Sequence, residues 1–246
     1  MEVSSPMQNS RLLSIRHMRT SYVVLFLAVG AGIRPAAAED TAGRVRGAIA
    51  VLSQLTDSSG HGIPSQDIAH ADCIAVIPGF KKGAAVVGVS FGRGFLSCRV
   101  GDGWSAPGAV ALEGGSLGVQ VGGEKIDIVI LSLDKERRSK LVSDRFTFGS
   151  DASAAWGNGK SAHGDPNAKI LFFAKTKGVF AGFDLDGTTL KQDDSSNKTL
   201  YGKSITNSEI VDQGTATPAA AEPLVSKLAS LLQRESASAS SSGSTK

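Results

Sequence analysis

Gly114-Gly115-Ser116-Leu117-Gly118 has the spacing G-x-S-x-G. In a hydrolase that spacing sets a serine on a sharp strand-to-helix turn and offers its hydroxyl to a histidine. Asp151 and His163 follow in an order that would complete a Ser-Asp-His set. The next residues argue otherwise: Val119-Gln120-Val121-Gly122-Gly123 alternates and ends in glycine, the pattern of a strand and a turn. A glycine-rich hairpin is the preferred reading, and a serine hydrolase using Ser116 is the alternative.

Other motifs fail on their missing parts. Gly159-Lys160-Ser161 and Gly202-Lys203-Ser204 end like phosphate-binding loops, but the leading glycine such a loop requires is Ala154 in one and Asn197 in the other. Asp184-Leu185-Asp186-Gly187 begins like a calcium loop without the later oxygen ligands or the closing glutamate. A type I′ turn at Asp186-Gly187 accounts for it more simply. His61, His70 and His163 are widely spaced, with no helical pair. The expectation is therefore no metal and no cofactor. Lys81-Lys82 and Arg137-Arg138 are short basic pairs, and nothing has the pattern of a nucleic-acid reader.

The first 38 residues read as an export signal. Arg11, Arg16 and Arg19 precede an apolar run from Tyr22 to Ile33, and Ala36-Ala37-Ala38 follows. Basic head, short apolar middle and small-residue end make a secretory signal, cleaved after Ala38. About twelve apolar residues fall short of the ~20 that span a bilayer. Either Met1 or Met18 serves as the start. The expected location is periplasmic or extracellular. The formal charge of +3 belongs to this segment, since Arg11, Arg16, Arg19 and Arg34 against Glu2 account for all of it. Any attraction to an anionic partner must then come from local patches. Export also permits a bridge between Cys73 and Cys98, the only cysteines; two buried thiols are the other possibility.

Behind these residues stands a mixed fold. Glycine is 29 of 246 residues and aromatics are 6%, which suits a β-rich domain with many tight turns. Ala42, Val45, Ile49, Leu52 and Leu55 recur at helical steps over Thr41 to Thr56, with Asp40 or Thr41 as N-cap. A helical turn follows at Ser65 to Ala71. Short apolar or β-branched runs then predict strands at 73–77, 84–91, 95–100, 109–112, 117–121 and 127–133, with Pro78-Gly79 and Gly92-Arg93-Gly94 as turns. Asp134 to Val142 reads as a surface helix, and strands resume at 169–174, 179–184 and 188–191. Pro223 opens a last helix carrying Leu224, Leu228, Leu231 and Leu232, and the serine-rich tail from Ser236 reads as disordered. The fold class is α+β: a curled antiparallel sheet or barrel-like sandwich with an N-terminal amphipathic helix and a C-terminal helix. Residues 1–38 are the signal, 39–213 the domain and 214–246 an Ala/Pro/Ser-rich segment.

Several stretches occur together in one order. Ala71-Asp72-Cys73-Ile74-Ala75-Val76-Ile77-Pro78-Gly79 leads into Lys81-Lys82-Gly83, then Gly92-Arg93-Gly94, Gly103-Trp104-Ser105-Ala106-Pro107 and Gly114-Gly115-Ser116-Leu117-Gly118-Val119-Gln120-Val121-Gly122. Phe148-Gly149-Ser150-Asp151-Ala152-Ser153, Lys177-Gly178-Val179-Phe180-Ala181-Gly182 and Leu185-Asp186-Gly187 come later. From Thr41 to Val211 the chain resembles the SYLF-domain family, in its exported bacterial-type form. It departs at Gly157-Asn158-Gly159-Lys160, where the family has Gly-Pro-x-Gly-Arg, and at Phe173-Ala174-Lys175, where it often has Tyr-Ser-Arg.

The resemblance implies a non-catalytic lipid-binding domain, phosphoinositide-type in eukaryotic relatives, some of which also bind actin. The expected partner is a lipid or membrane surface. An envelope protein is a further possible partner, and actin an unlikely one. The lipid-binding residues expected are Arg44 and Arg46 on the first helix, whose Val45, Ile49 and Leu52 would meet acyl chains, joined by Lys81 and Lys82. The same stripe would equally serve to pack on the sheet. A scaffold without lipid contact is a further alternative.

Overall fold

The computed structural model describes residues 40–56, 62–84, 88–116, 122–149, 154–157, 162–163, 169–176, 179–180 and 185–242. The signal segment, its cleavage point and the strand expected at 117–121 lie outside these residues. The chain begins with α1 (Thr41–Thr56) and α2 (Ser65–His70). Asp40 caps α1, its Oδ1 accepting from the Ala42 N–H at 3.3 Å.

The sheet holds eleven strands among the described residues. The long ones are β1 (Cys73–Ala84), β2 (Gly88–Val100), β4 (Gly108–Ser116), β5 (Gly122–Ser132), β9 (Ile170–Thr176) and β11 (Thr188–Gln192). The short ones are β3 (Gly103–Trp104), β6 (Arg145–Thr147), β7 (Ala154–Gly157), β8 (Ala162–His163) and β10 (Val179–Phe180). The main path runs β6-β11-β4-β2-β1-β5-β9-β7-β8, with β3 on β2 and β10 on β9. All pairings are antiparallel except β7 with β9. The curled sheet forms a half-barrel, as the α+β expectation required.

Both faces of the sheet are buried. On one, Ile77, Phe80, Leu96, Leu112, Ile128 and Phe172 pack with Phe146, Phe148 and the helical Leu141, Ile210 and Val211. On the other, Ile74, Val76, Phe95, Val129, Leu131 and Phe173 lie under α1, α2 and the last helix, Glu222–Ser242. Burial on two sides explains why Cys73 to Ile77 is uniformly apolar and does not alternate. From α1, Val45, Val51, Leu52 and Leu55 are buried, each worth about 1.5–3 kcal/mol relative to exposure.

Three features differ from the sequence expectation. Pro78-Gly79 does not end its strand; it forms a bulge inside β1, where the register shifts against both neighbours. Gly79 takes φ +58° there and donates its N–H to Asp127 Oδ1 at 2.8 Å. Gly92-Arg93-Gly94 is likewise mid-strand. A Cβ on Gly94 would lie 1.9 Å from the Val76 carbonyl oxygen, and one on Gly92 2.7 Å from Ile77 Cγ2. These glycines admit a close neighbour; they do not turn the chain.

The third difference is helical. Asp134 to Val142 contains a 3-10 turn (Lys135–Arg137) and the short α3 (Arg138–Leu141). Two helices that the apolar pattern did not signal, α4 (Asp194–Tyr201) and α5 (Asn207–Asp212), follow β11. Their caps are the Asp193 side chain on Ser196 N and a Thr206–Glu209 capping box. α6 (Glu222–Ser242) runs well into the tail expected to be disordered. The buried Leu224, Leu228 and Leu231 anchor it against α1, α2 and β3, and the Ala/Ser run propagates it, alanine being the best helix former.

Candidate functional site

The outer face of the sheet, on the side of α1, carries the site. α1 crosses β1 at the bulge, where a Cβ on Gly47 would lie 3.3 Å from Pro78 Cβ. Strand alternation places Arg93 and Phe91 of β2 on this face with the buried Phe95. It likewise places Lys125 and Asp127 of β5 with Val129. On β1 the bulge supplies one extra residue, so Phe80 points into the opposite core and Lys81 turns out.

Lys81 is then directly opposite Phe91 on one side and Lys125 on the other. Phe91 in turn pairs with Glu113 of β4, and Glu113 with Thr189 of β11. One transverse row therefore reads Thr189, Glu113, Phe91, Lys81, Lys125. Glu113 is engaged by Lys191 at 2.7 Å. Lys81 and Lys125 are exposed, and neither forms an ion pair among the described residues. Phe91 is one of two large exposed hydrophobic residues among them, at 37%. The Arg93 guanidinium stands 5.4 Å from its ring centroid.

The expected lipid-binding residues divide. Lys81 stands in this row. Lys82 is described only through its backbone, which pairs with Ser90 and Glu124. Arg46 is exposed on α1. Arg44 is buried: Nη1 donates to Ser196 Oγ at 2.8 Å and lies 3.8 Å from Asp193 Oδ2. The apolar stripe of α1 packs on the sheet. In this conformation Arg44, Val45 and Leu52 are buried and Ile49 is half-buried, held by protein groups. Phe91 and Lys125 escaped the sequence reading. Their only signal was strand alternation combined with an unforeseen bulge.

Cys73 and Cys98 face each other across β1 and β2 and are bridged. Ser116 is the last residue of β4, its backbone paired with Gly88. An elbow needs a helix after its serine, whereas the next described element after Ser116 is strand β5, from Gly122. Gly202 of the second Gly-Lys-Ser run caps α4 with φ +71°, and Gly187 takes φ +75° in a turn closed by Thr188 N–H to Leu185 O. No group of three or more metal-ligating side chains occurs among the described residues, and no helix among them is long and apolar enough to cross a membrane.

Comparison with known proteins adds an independent line. A family model described as Ysc84, Las17-binding protein actin regulator, matches residues 113–231. An SH3 domain-containing protein of Schizosaccharomyces pombe is 34% identical over 173 residues, covering 66% of this chain and 40% of its own length. Protein YSC84 of Saccharomyces cerevisiae is 32% identical over 172 residues, 66% of this chain and 36% of its own. SH3 domain-containing YSC84-like protein 1 of Homo sapiens is 30% identical over 192 residues, 74% of this chain and 56% of its own. The chain thus spans between 36% and 56% of these relatives. No solved structure matches it.

Proposed function

This chain belongs to the Ysc84, or SYLF-domain, family, and from that premise we propose that it is an exported, non-catalytic protein that binds an anionic lipid or membrane surface. The observation that carries the reading is the row Phe91, Lys81, Lys125. Two lysines set directly opposite one another repel, a cost that an anionic surface turns into a gain. Each basic residue held near such a surface contributes about 1 kcal/mol. An exposed aromatic beside them suits the headgroup level, where aromatic rings are enriched. The surface is met by the end of the sheet, and α1 stays packed. The signal pattern of residues 1–38 supports export.

Co-sedimentation with vesicles tests this. Full-length protein should pellet with phosphatidylglycerol or phosphoinositide vesicles and remain in solution with phosphatidylcholine alone. Phe91→Ser should weaken binding with the fold unchanged. Failure to bind any anionic vesicle overturns the reading.

A protein partner is the second reading, and the relatives' names favour it, one being LAS seventeen-binding protein 3 of Saccharomyces cerevisiae. The family's description as an actin regulator also weighs against treating actin as an unlikely partner. Capture of a partner by a protein that ignores vesicles would favour this scaffold reading. A serine hydrolase would label at Ser116 with a serine-directed probe and lose the label in Ser116→Ala.

A further inference from the structure

At the far end of β1 from the lysine row, a cavity of about 580 Å³ opens beside α2, with His70, Asp72, Arg99, Asp102, Lys135 and Leu232 in its wall. That volume is in the range of small-molecule sites. Asp72 is the residue before Cys73 and Arg99 the one after Cys98, so the bridge holds the two as the next cross-strand neighbours; Arg99 N–H donates to Asp72 O at 2.7 Å.

Arg99 feels the charge of Asp72, but its side-chain hydrogen bonds go elsewhere. Its Nε donates to Ala71 O at 3.1 Å, and its Nη2 to Ile68 O at 3.1 Å and Ala69 O at 2.8 Å. These are the terminal carbonyls of α2, where a cation is favoured. The guanidinium also lies 4.4 Å from the Trp104 ring centroid. Asp72 is left 4% exposed in the cavity wall. The bridged Cys73 sulfur lies 3.6 Å from Oδ2 and has no hydrogen to give. Among the described residues no N–H or O–H donor reaches the carboxylate.

A carboxylate in a cavity wall that receives no hydrogen bond from the protein is free to meet a cationic group. We propose that this cavity binds an alkylammonium or guanidinium group, with Asp72 as its counter-ion. Asp102 adds a second carboxylate to the lining, while Arg99 and the exposed Lys135 make it mixed in charge. The group arrives either on a free small amine or on a lysine or arginine side chain of a peptide. This site is separate from the lysine row and does not depend on the lipid reading.

The test is a titration of ¹⁵N-labelled full-length protein with ethylammonium and ethylguanidinium chloride, against sodium chloride at matched ionic strength. Saturable shifts of the Asp72 and His70 amides are expected, with a dissociation constant on the order of 1–10 mM, as suits one charge-assisted contact. Asp72→Asn should weaken binding at least tenfold while the rest of the spectrum is retained. Spermidine and a capped Gly-Lys-Gly peptide then assign the source by which binds more tightly. Non-saturating shifts in the unmodified protein overturn the proposal, and this outcome needs no variant to fold. Unchanged affinity in Asp72→Asn overturns it as well.

Discussion

Arg44 and Asp193 meet inside the protein, Nη1 to Oδ2 at 3.8 Å, with side chains only 3% and 6% exposed. The contact ties the first turn of α1 to the N-cap of α4. Asp193 also accepts from Ser195 Oγ, Ser196 Oγ and Ser196 N, and its Oδ2 lies 3.3 Å from Arg93 Nε. Removing one partner strands a buried charge. Arg44→Ala should therefore lower the unfolding free energy by about 3 kcal/mol, near the low end for broken buried pairs because other donors remain. Arg46→Ala, at an exposed position, should stay within about 0.5 kcal/mol. Urea unfolding of the two variants makes the comparison. Any loss of vesicle binding in Arg44→Ala must then be weighed against its loss of fold.

The same cluster sets an acid limit. Burial pushes the Asp193 carboxyl up, but hydrogen bonds from Ser196 and Ser195 and the charge of Arg93 outweigh it and hold it below the ordinary value of 3.8. A carboxyl depressed on folding stabilises the protein above its unfolded value, and that contribution is lost as pH falls through the folded one. Stability should thus be insensitive to this group from pH 7 to 5 and decline below about pH 4. Asp193→Asn should be less stable at pH 7 and show a shallower decline. Urea midpoints measured between pH 7 and 2.5 would expose the difference, and parallel curves would contradict it.

Gly94 shows where the sequence could be read and where it could not. The helix at Thr41–Thr56 was legible because five apolar residues at steps of three and four have one simple solution. The strands were legible from their β-branched runs, but glycine has two uses that sequence alone does not separate. At Gly101 it supplies φ +57° in a turn with nothing near its missing Cβ. At Gly94 it makes room for the Val76 carbonyl in the middle of β2. The two uses predict different costs. Gly101→Ala should lose about 1 kcal/mol, the penalty of a left-handed alanine, whereas Gly94→Ala should lose 3 kcal/mol or more by forcing β1 from β2. Thermal unfolding of both variants checks the order.

The Cys73–Cys98 bridge closes a span of 25 residues between strands already paired. The chain-entropy model gives about 3 kcal/mol for a loop of this length. Cys73→Ala/Cys98→Ala should fall short of the oxidised protein by about that amount in guanidinium unfolding. The unmodified protein under reductant should match the double variant. Without reductant, the unfolded protein should show no reactive thiol.

Of the lysine row, only Lys81 was legible, as half of a basic pair. Alternation counted from Cys73 puts Lys81 on the inner face with Ala75 and Ile77; the extra residue at Pro78-Gly79 reverses it. Phe91 and Lys125 join only once that register is known. The row carries a prediction that separates a binding role from a structural one. Lys81 and Lys125 oppose each other directly, so Lys81→Ala or Lys125→Ala should raise stability slightly, by about 0.2–1 kcal/mol, through relief of repulsion. Either change should at the same time weaken binding to anionic vesicles. At about 1 kcal/mol per basic residue, the double variant should bind about thirtyfold more weakly, and raising the salt to 0.5 M (about 4 Å of screening length) should narrow the gap. A purely structural lysine pair would leave binding untouched, so vesicle affinity and melting temperature moving in opposite directions is the signature to measure.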